Sequence, residues 1–347
     1  MFREYLLLLT ALLIVNFNVK INAEDFEIIR VDIDNYARVA FDKQALATIE
    51  NARGINNWDI NKQPVFVENQ QTIHTNRDML YLMSVIDIQN DAQILVPEVS
   101  DRYISFSIIN RNGYTEKVFY GGGVHSLINA EIETDFVFVI GRIMVDADDV
   151  DDVEEANSIQ NEIRIFSGSE RNFPKLTYNT NSFDRLSSIF FELTPYISNT
   201  IGMFGDQASV HSLRFLIGTA VGWGNLPEQD AIFNLKKPDL PINTYELTMP
   251  QPSNQSAWSI TIYNSDGYFQ RGSNGKISIN SLNAIANEDH SITIHFGGCD
   301  DGRRNCLRLM PNWTYAIRIY RPEDSLLSQP PTFPKIQKTK SSNFFSE

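Results

Sequence analysis

In RYISFSII, residues 102–109, the side chains of Ile104, Phe106 and Ile108 fall on one side of an extended chain and those of Ser105 and Ser107 on the other. A period of two is the signature of a strand with one apolar face, and it is incompatible with an amphipathic helix. The alternation returns near the other end of the chain. Trp258, Ile260 and Ile262 share a face in AWSITIYNSDGYF, as do Ile292, Ile294 and Phe296 in HSITIHF, and Tyr315, Ile317 and Ile319 in NWTYAIRIYRP. Further short runs rich in β-branched and aromatic residues flank these segments: MLYLMSVIDI, AQILVPEV, KVFYGGG and DFVFVIGRIMV in the first region, KISINSL in the second. Gly, Pro, Asn and Asp punctuate them, as turns require. The pattern predicts two β regions, at about 65–165 and 241–325. Their strands are expected to be half-buried, with Ser105 and Ser107 on the polar side.

The segments around and between these regions read differently. DNYARVAFDKQALATIENARG (34–54) spaces Tyr36, Val39, Ala40, Leu46 and Ile49 as a helix does, with Gly54 as its stop, inside a 24–64 helix and connector. DADDVDDVEEANSIQNEIRIF (146–166) resembles a calcium loop at first sight. Val150 and Asp151 stand where the third ligand and the glycine of an EF-hand belong, so the favoured reading is a helix whose acidic first turns complement its dipole. NSFDRLSSIFFELTPYI and DQASVHSLRFLIGTAVGWG add two helical stretches within a 166–240 connector. The proline-bearing link LKKPDLPINTY then leads into the second β region, and a polar tail at 326–347 is expected to be loose.

Both compartment and redox chemistry follow from the first residues. Arg3, an apolar run from Tyr5 to Val15 and small Ala23 before Glu24 have the layout of a secretory signal peptide cleaved after residue 23. The run is shorter than the ~20 residues a transmembrane helix needs, so no stable membrane span is expected after cleavage. Export would place the protein in the cell envelope or periplasm, outside the cell, or in a virion. Removing residues 1–23 takes away Arg3, Lys20 and Glu4 and moves the net charge from −14 to −15. Such a surface repels phosphate backbones, which argues against nucleic acid as a partner. In an oxidising compartment Cys299 and Cys306, the only cysteines, read as a disulfide. A zinc site is disfavoured, because His295 with these two supplies three ligands at unusual spacing. The sequons Asn254-Gln-Ser256 and Asn312-Trp-Thr314 are glycan candidates, Asn254 the better one because Asn312 enters a strand.

Several long stretches carry a family resemblance. TNRDMLYLMSVIDI (75–88) and DRYISFSIINRNGYTEKVFYGGG (101–123) resemble domain-of-unknown-function family 1254. WSITIYNSDGYF (258–269) and SITIHFGGCDDGRRNCLRLMPNWTYAIRIYRP (291–322) resemble its usual C-terminal companion, family 1214, and IGMFGDQASVHSLRFLIGTAVGWGNLPEQDAIF (201–233) resembles the segment joining them. The resemblance implies a mainly β chain with a helical connector: tandem β-sandwiches, the first immunoglobulin-like and the second jelly-roll-like. It implies no established reaction. The motif departs from its usual form at NRDMLYL and around Trp313.

Residues able to do chemistry form two sets. Asn76, Arg77, Asp78 and Tyr81, with Asp87, join a fixed cation, carboxylates and an amide. Arg77 could clamp a ligand carboxylate or hydroxyl and Asp78 could accept a proton; the competing reading is an internal Arg–Asp bridge that locks a strand. Trp223, Asn225, Trp258, His295 and Trp313 form the second set, as sugar-stacking faces or, alternatively, as core tryptophans. No G-x-S-x-G elbow or recognisable triad order is present, Gly121-Gly122-Gly123 lacks the P-loop lysine, and neither a metal nor a cofactor is expected. The expected function is binding of a glycan or small molecule, or an envelope or virion role, with possible homo-oligomers. The alternative is an enzyme with a carboxylate and tyrosine site between the two sandwiches.

Overall fold

A computed structural model describes residues 28–339 apart from 100, 198, 251–255, 271–274 and 328–333. The signal-peptide segment and Asn254 lie outside the described residues. The chain begins with β1 (Ile28–Ile29), α1 (Tyr36–Ala52) and β2 (Asp59–Ile60). There follow β3 (Met79–Asp87), β4 (Ala92–Val96), β5 (Ile104–Asn110), β6 (Thr115–Tyr120), β7 (Gly123–Leu127), the single turn α2 (Asn129–Ile132) and β8 (Phe136–Met144). Next come α3 (Val150–Glu162), β9 (Arg164–Ser167), β10 (Thr177–Tyr178), α4 (Thr180–Glu192) and α5 (Ser212–Gly222). The C-terminal run is β11 (Ala231–Lys236), β12 (Tyr245–Met249), β13 (Ala257–Tyr263), β14 (Ser278–Asn280), β15 (Ile292–Phe296), β16 (Cys306–Leu307), β17 (Thr314–Tyr320), α6 (Asp324–Leu327) and β18 (Gln337–Lys338).

The fold is mainly β. A five-stranded sheet, β2-β3-β8-β5-β6, faces a three-stranded sheet, β7-β4-β9, across a core that includes Leu82, Ile94, Phe106 and Val139. Toward the C-terminus, β11-β17-β13-β14 faces β16-β15-β12-β18, and Trp258, Ile260, Phe296, Leu307 and Ile317 fill the space between them. This is the eight-strand, two-sheet count of a jelly roll. Alternation along the strands supplies the apolar faces of both cores, as the sequence predicts.

Four expectations need correction. The outward faces are not solvated: Ser105, Ser107, Ser259 and Thr261 are all fully buried. The reason is a third layer. Phe41 and Ala45 of α1 cover Val85, Ile109 and Phe138 at one end of the five-stranded sheet, and the C-terminal sandwich covers Met79, Tyr103 and Met144 at the other. The 166–240 stretch is not purely helical, because β11 joins the C-terminal sheet along all six of its residues, Ala231 opposite Tyr320 to Lys236 opposite Tyr315. The tail is not wholly loose, since Gln337 and Lys338 pair with Glu246 and Tyr245 on the edge of β12. Asn312 is an exposed turn residue with a positive φ of 54° that precedes β17 rather than a covered strand residue.

Residues 146–166 form the expected helix. Asp149 caps α3 by accepting from the backbone N–H groups of Asp151 and Asp152, and Asp152 in turn binds Arg102 at 2.6 Å. Cys299 and Cys306 are paired, their Cα atoms 5.6 Å apart, and the bridge closes the loop that Gly297 and Gly298 open with positive φ.

Asp87 ends β3 fully buried, both of its oxygens held by Arg171: Nε donates at 3.0 Å and Nη2 at 2.8 Å. Burial pushes its carboxyl up, but hydrogen bonds from the Arg171 side chain and backbone outweigh this and hold it at about 2, below the usual 3.8. A depressed folded-state pKa stabilises the fold above pH ~4 and ceases to do so as pH falls toward 2. Thermal melts between pH 5 and 2 should therefore show a loss in that window. Arg171→Met should lower the melting temperature at pH 7 and shrink the acid-dependent part; an unchanged acid profile would exclude this pair as its source.

Candidate functional site

The two sandwiches meet through their polar faces, and the seam starts at Asp78. Asp78 directly precedes β3 and is 1% exposed. Its Oδ2 accepts from Ser278 Oγ at 2.7 Å and Thr261 Oγ1 at 3.2 Å, and its Oδ1 from Asn280 Nδ2 at 3.0 Å. All three donors belong to the C-terminal sandwich. Thr261 also accepts from the buried Arg318, whose other terminal nitrogen donates to the His74 carbonyl at 2.6 Å and the Tyr263 hydroxyl at 2.9 Å. Arg318 and Asp78 thus compensate each other across one hydroxyl. Asn76 Nδ2 donates to the Tyr320 hydroxyl at 2.7 Å and its Oδ1 accepts from the Asp78 backbone.

Beside this latch the seam becomes aromatic. Tyr103 lies between two other rings, with centroids 6.0 Å from Tyr120 and 5.2 Å from Tyr320. Half-buried Tyr81, Val118, Tyr120 and Ala231 form the margin of the same cluster. Arg142 stands opposite Tyr81 on one side and Ser105 on the other in strand register. Its guanidinium donates to Ser107 Oγ (2.9 Å), the Ile140 carbonyl (3.3 Å) and the Gly224 carbonyl (2.6 Å). The last contact brings the helical connector to the seam. Asp230 accepts from the Tyr120 hydroxyl at 2.6 Å.

Burial sets the protonation states here. It pushes the Tyr103 phenol up to about 12. It also raises Tyr120, helped by Tyr103 and Asp230, and raises Tyr320 well above its ordinary value. Burial likewise raises Asp230, opposed by the Tyr120 hydrogen bond and Arg142. The phenols are neutral at physiological pH and can both donate and accept. In the seam the buried hydroxyl of Ser259 makes no hydrogen bond among the described residues, and the hydroxyls of Tyr103 and Ser105 have only each other.

The other sequence candidates lie elsewhere. Arg77 turns away from Asp78 and pairs with Asp148 at 2.9 Å, so adjacent residues of an extended segment serve opposite sides and do not bridge each other. Trp258 and Trp313 are each 2% exposed within the C-terminal core, where Trp313 stacks on Phe296. Trp223 packs edge-on against Phe138 at 4.8 Å under the helical layer. Trp258 and Trp313 offer no face for a sugar ring, and Trp223 is half-buried. His295 is far from any of them in role: with Asn287, Asp289, Thr293, Arg304 and Asn305 it lines an open groove of ≈ 680 Å³ on the outer face of the C-terminal sandwich. Burial, then the charge of Arg303, lowers its pKa, and the imidazole is neutral at pH 7. No cluster of three or more His, Cys, Asp or Glu suited to a metal occurs among the described residues.

Sequence reasoning missed Tyr103, Tyr120, Arg142, Asp230 and Arg318. One signal was available, since Arg142 interrupts the otherwise apolar DFVFVIGRIMV and Arg318 the run TYAIRIY. A charge inside a strand marks a covered polar partner or an outward face, and periodicity alone does not choose between them.

Comparison with known proteins bears on the fold. The model of DUF1214, a protein family of unknown function, matches residues 236–324, which hold β12 to β17 of the C-terminal sandwich. The chain is similar in structure to a crystallised protein of Vibrio parahaemolyticus, with TM-score 0.64 and 17% identity over 89% of this chain and 98% of that one. It is also similar to an uncharacterised protein from Burkholderia cenocepacia, with TM-score 0.48 and 14% identity over 87% of this chain and 88% of the other. No curated protein matches it.

Proposed function

We propose that this chain is an exported binding protein that holds a small hydroxylated ligand of the glycan type in the seam between its sandwiches, the N-terminal one being of the family-1254 kind. The buried, unpartnered hydroxyl of Ser259, with the Tyr103 and Ser105 hydroxyls that have only each other, beside a set of neutral phenols, carries this reading. An unpaired buried hydroxyl costs about 1–3 kcal/mol, so a poorly satisfied set in one seam is unfavourable unless a ligand pairs with it. Ligand sites concentrate where domains meet, with apolar walls and a few aimed polar groups. Binding is favoured over turnover because Asp78, the carboxylate expected to act on substrate, has both oxygens occupied by donors of the C-terminal sandwich. An enzymatic reading would fall to Asp230 and Tyr120 instead.

Ser259→Ala tests this in two ways at once. Removing an unpaired buried hydroxyl should leave the melting temperature unchanged or raise it, by about 1 kcal/mol of stability. Affinity for the sugar identified on a glycan array should fall roughly tenfold by calorimetry, about 1.4 kcal/mol. A destabilised variant with unaltered affinity would mean that the hydroxyl serves the fold, and hydrolysis of the bound sugar would sink the non-catalytic reading. Export is tested by N-terminal sequencing of secreted material, expected to begin at Glu24.

A further inference from the structure

Residues 70–75 clasp the turn 264–269 that follows β13, and His74 sits in the middle of the clasp. Gln70 donates to the Gly267 carbonyl at 3.0 Å and accepts from the Phe269 backbone at 2.7 Å, and the Tyr263 hydroxyl donates to the Thr75 carbonyl at 2.8 Å. His74 commits both of its backbone groups to the C-terminal sandwich: its N–H donates to the Gly267 carbonyl at 2.8 Å and its carbonyl accepts from Arg318 at 2.6 Å. Its φ of 52° is a left-handed conformation that asparagine also adopts readily. The half-buried imidazole lies edge-on to the Tyr263 ring at 5.3 Å and so near the turn that a Cβ on Gly267 would stand 2.9 Å from its Nε2. The cations facing the ring are Arg318 of β17 and Lys237 just beyond β11. The other ionisable groups nearby do not offset them: burial keeps the Tyr263 phenol neutral, Asp78 reaches Arg318 through the Thr261 hydroxyl, and Asp266 of the turn is exposed and accepts from Ser265. Burial, then Arg318 and Lys237, lowers the pKa of His74 from its ordinary 6.5.

We propose that this clasp is a pH-sensitive catch between the two sandwiches, shut while the His74 ring is neutral and loosened when the ring takes up a proton, which adds a third positive charge beside Arg318 and Lys237. Opening returns the ring to water, where the proton carries no such penalty. A histidine whose folded pKa lies below its unfolded value binds fewer protons in the fold than out of it. Its contribution is therefore complete above pH ~6.5 and declines as pH falls from there to the folded pKa. Asp87, held at about 2, stays ionised through that window, so its acid effect is separate. The catch needs no ligand and stands whether or not the seam binds one.

Native-state hydrogen exchange on the purified protein at pH 7.5 and 5.5 reads the catch. The amides of His74 and Phe269, both bonded across the clasp, should have protection factors about threefold lower at pH 5.5, while those of β5 and β8 in the N-terminal core keep theirs. His74→Asn, which suits the same φ and does not titrate, should abolish the difference. Lys237→Gln removes an exposed cation, raises the pKa of His74 toward 6.5 and should shrink the difference. An NMR titration of the wild-type ring should give a pKa below 6.5; a value at or above it would overturn the proposal. Equal protection at the two pH values would do the same, as would a loss that persists in folded His74→Asn. A loss spread evenly over both sandwiches would also overturn it, because acid would then be acting on the whole fold and not on the clasp. Should His74→Asn fail to fold, the wild-type titration and Lys237→Gln decide the matter.

Discussion

Asp78→Ala is expected to destabilise the protein by about 3–5 kcal/mol, the usual result of removing one partner from a buried charged network. The substitution strands the Ser278, Thr261 and Asn280 donors inside the seam and takes away the anion that lies one hydroxyl from Arg318. In a chain of this size the melting temperature should drop by roughly 10 °C. Because the lost bonds all cross from one sandwich to the other, calorimetry should show the single transition broadening or splitting as the two bodies uncouple. Asp78→Asn keeps one acceptor but turns an N–H₂ toward groups that already donate, and it should lie between wild type and Asp78→Ala. A variant that melts normally while losing only ligand binding would refute the latch and return Asp78 to the binding machinery.

The second large effect is expected at the disulfide. Cys299 and Cys306 close a ring of eight residues, and the simple chain-entropy model assigns that closure roughly 2.5 kcal/mol. The double variant Cys299→Ser, Cys306→Ser should lose about that much stability, as should wild type in reductant. The loss should be local. Cys306 opens β16, which pairs in parallel with His295 and Phe296 of β15, so hydrogen exchange should rise first along β15 and β16 and around the His295 groove. The bonds of Asn305 to the Ile285 and Thr293 carbonyls survive the substitution and should keep the groove partly formed. Uniform loss of protection across both sandwiches would contradict this, since it would make the bridge a determinant of the whole fold.

Much of the architecture is legible because strand alternation and cysteine count are local properties. Ile104, Phe106 and Ile108, and likewise Trp258, Ile260 and Ile262, announce apolar faces, and those faces do form the two cores. The pairing of Cys299 with Cys306 follows from there being no other choice. The weaker strands were hidden for a physical reason. The six residues of β11 and the two of β18 have little pattern of their own and become strands because β17 and β12 offer them an edge to pair with.

The candidate site was less legible. Arg77 and Asp78 stood out as charges side by side, but neighbours on an extended chain point apart, and only the fold reveals that one reaches Asp148 and the other the second sandwich. The residues that now define the seam, Tyr103, Ser105, Arg142, Ser259 and Arg318, are scattered over more than two hundred positions and sit on what reads locally as the wet side of their strands.

Sequence alone determined that this chain makes sheets with one apolar and one polar face, twice, and that its two cysteines bridge. What the polar faces look at was decided by tertiary structure: they look at each other. Alternation records only that two faces differ, whereas burial of the polar one depends on a partner sheet brought from a distant part of the chain, with hydrogen bonds across the gap to offset the water it displaces.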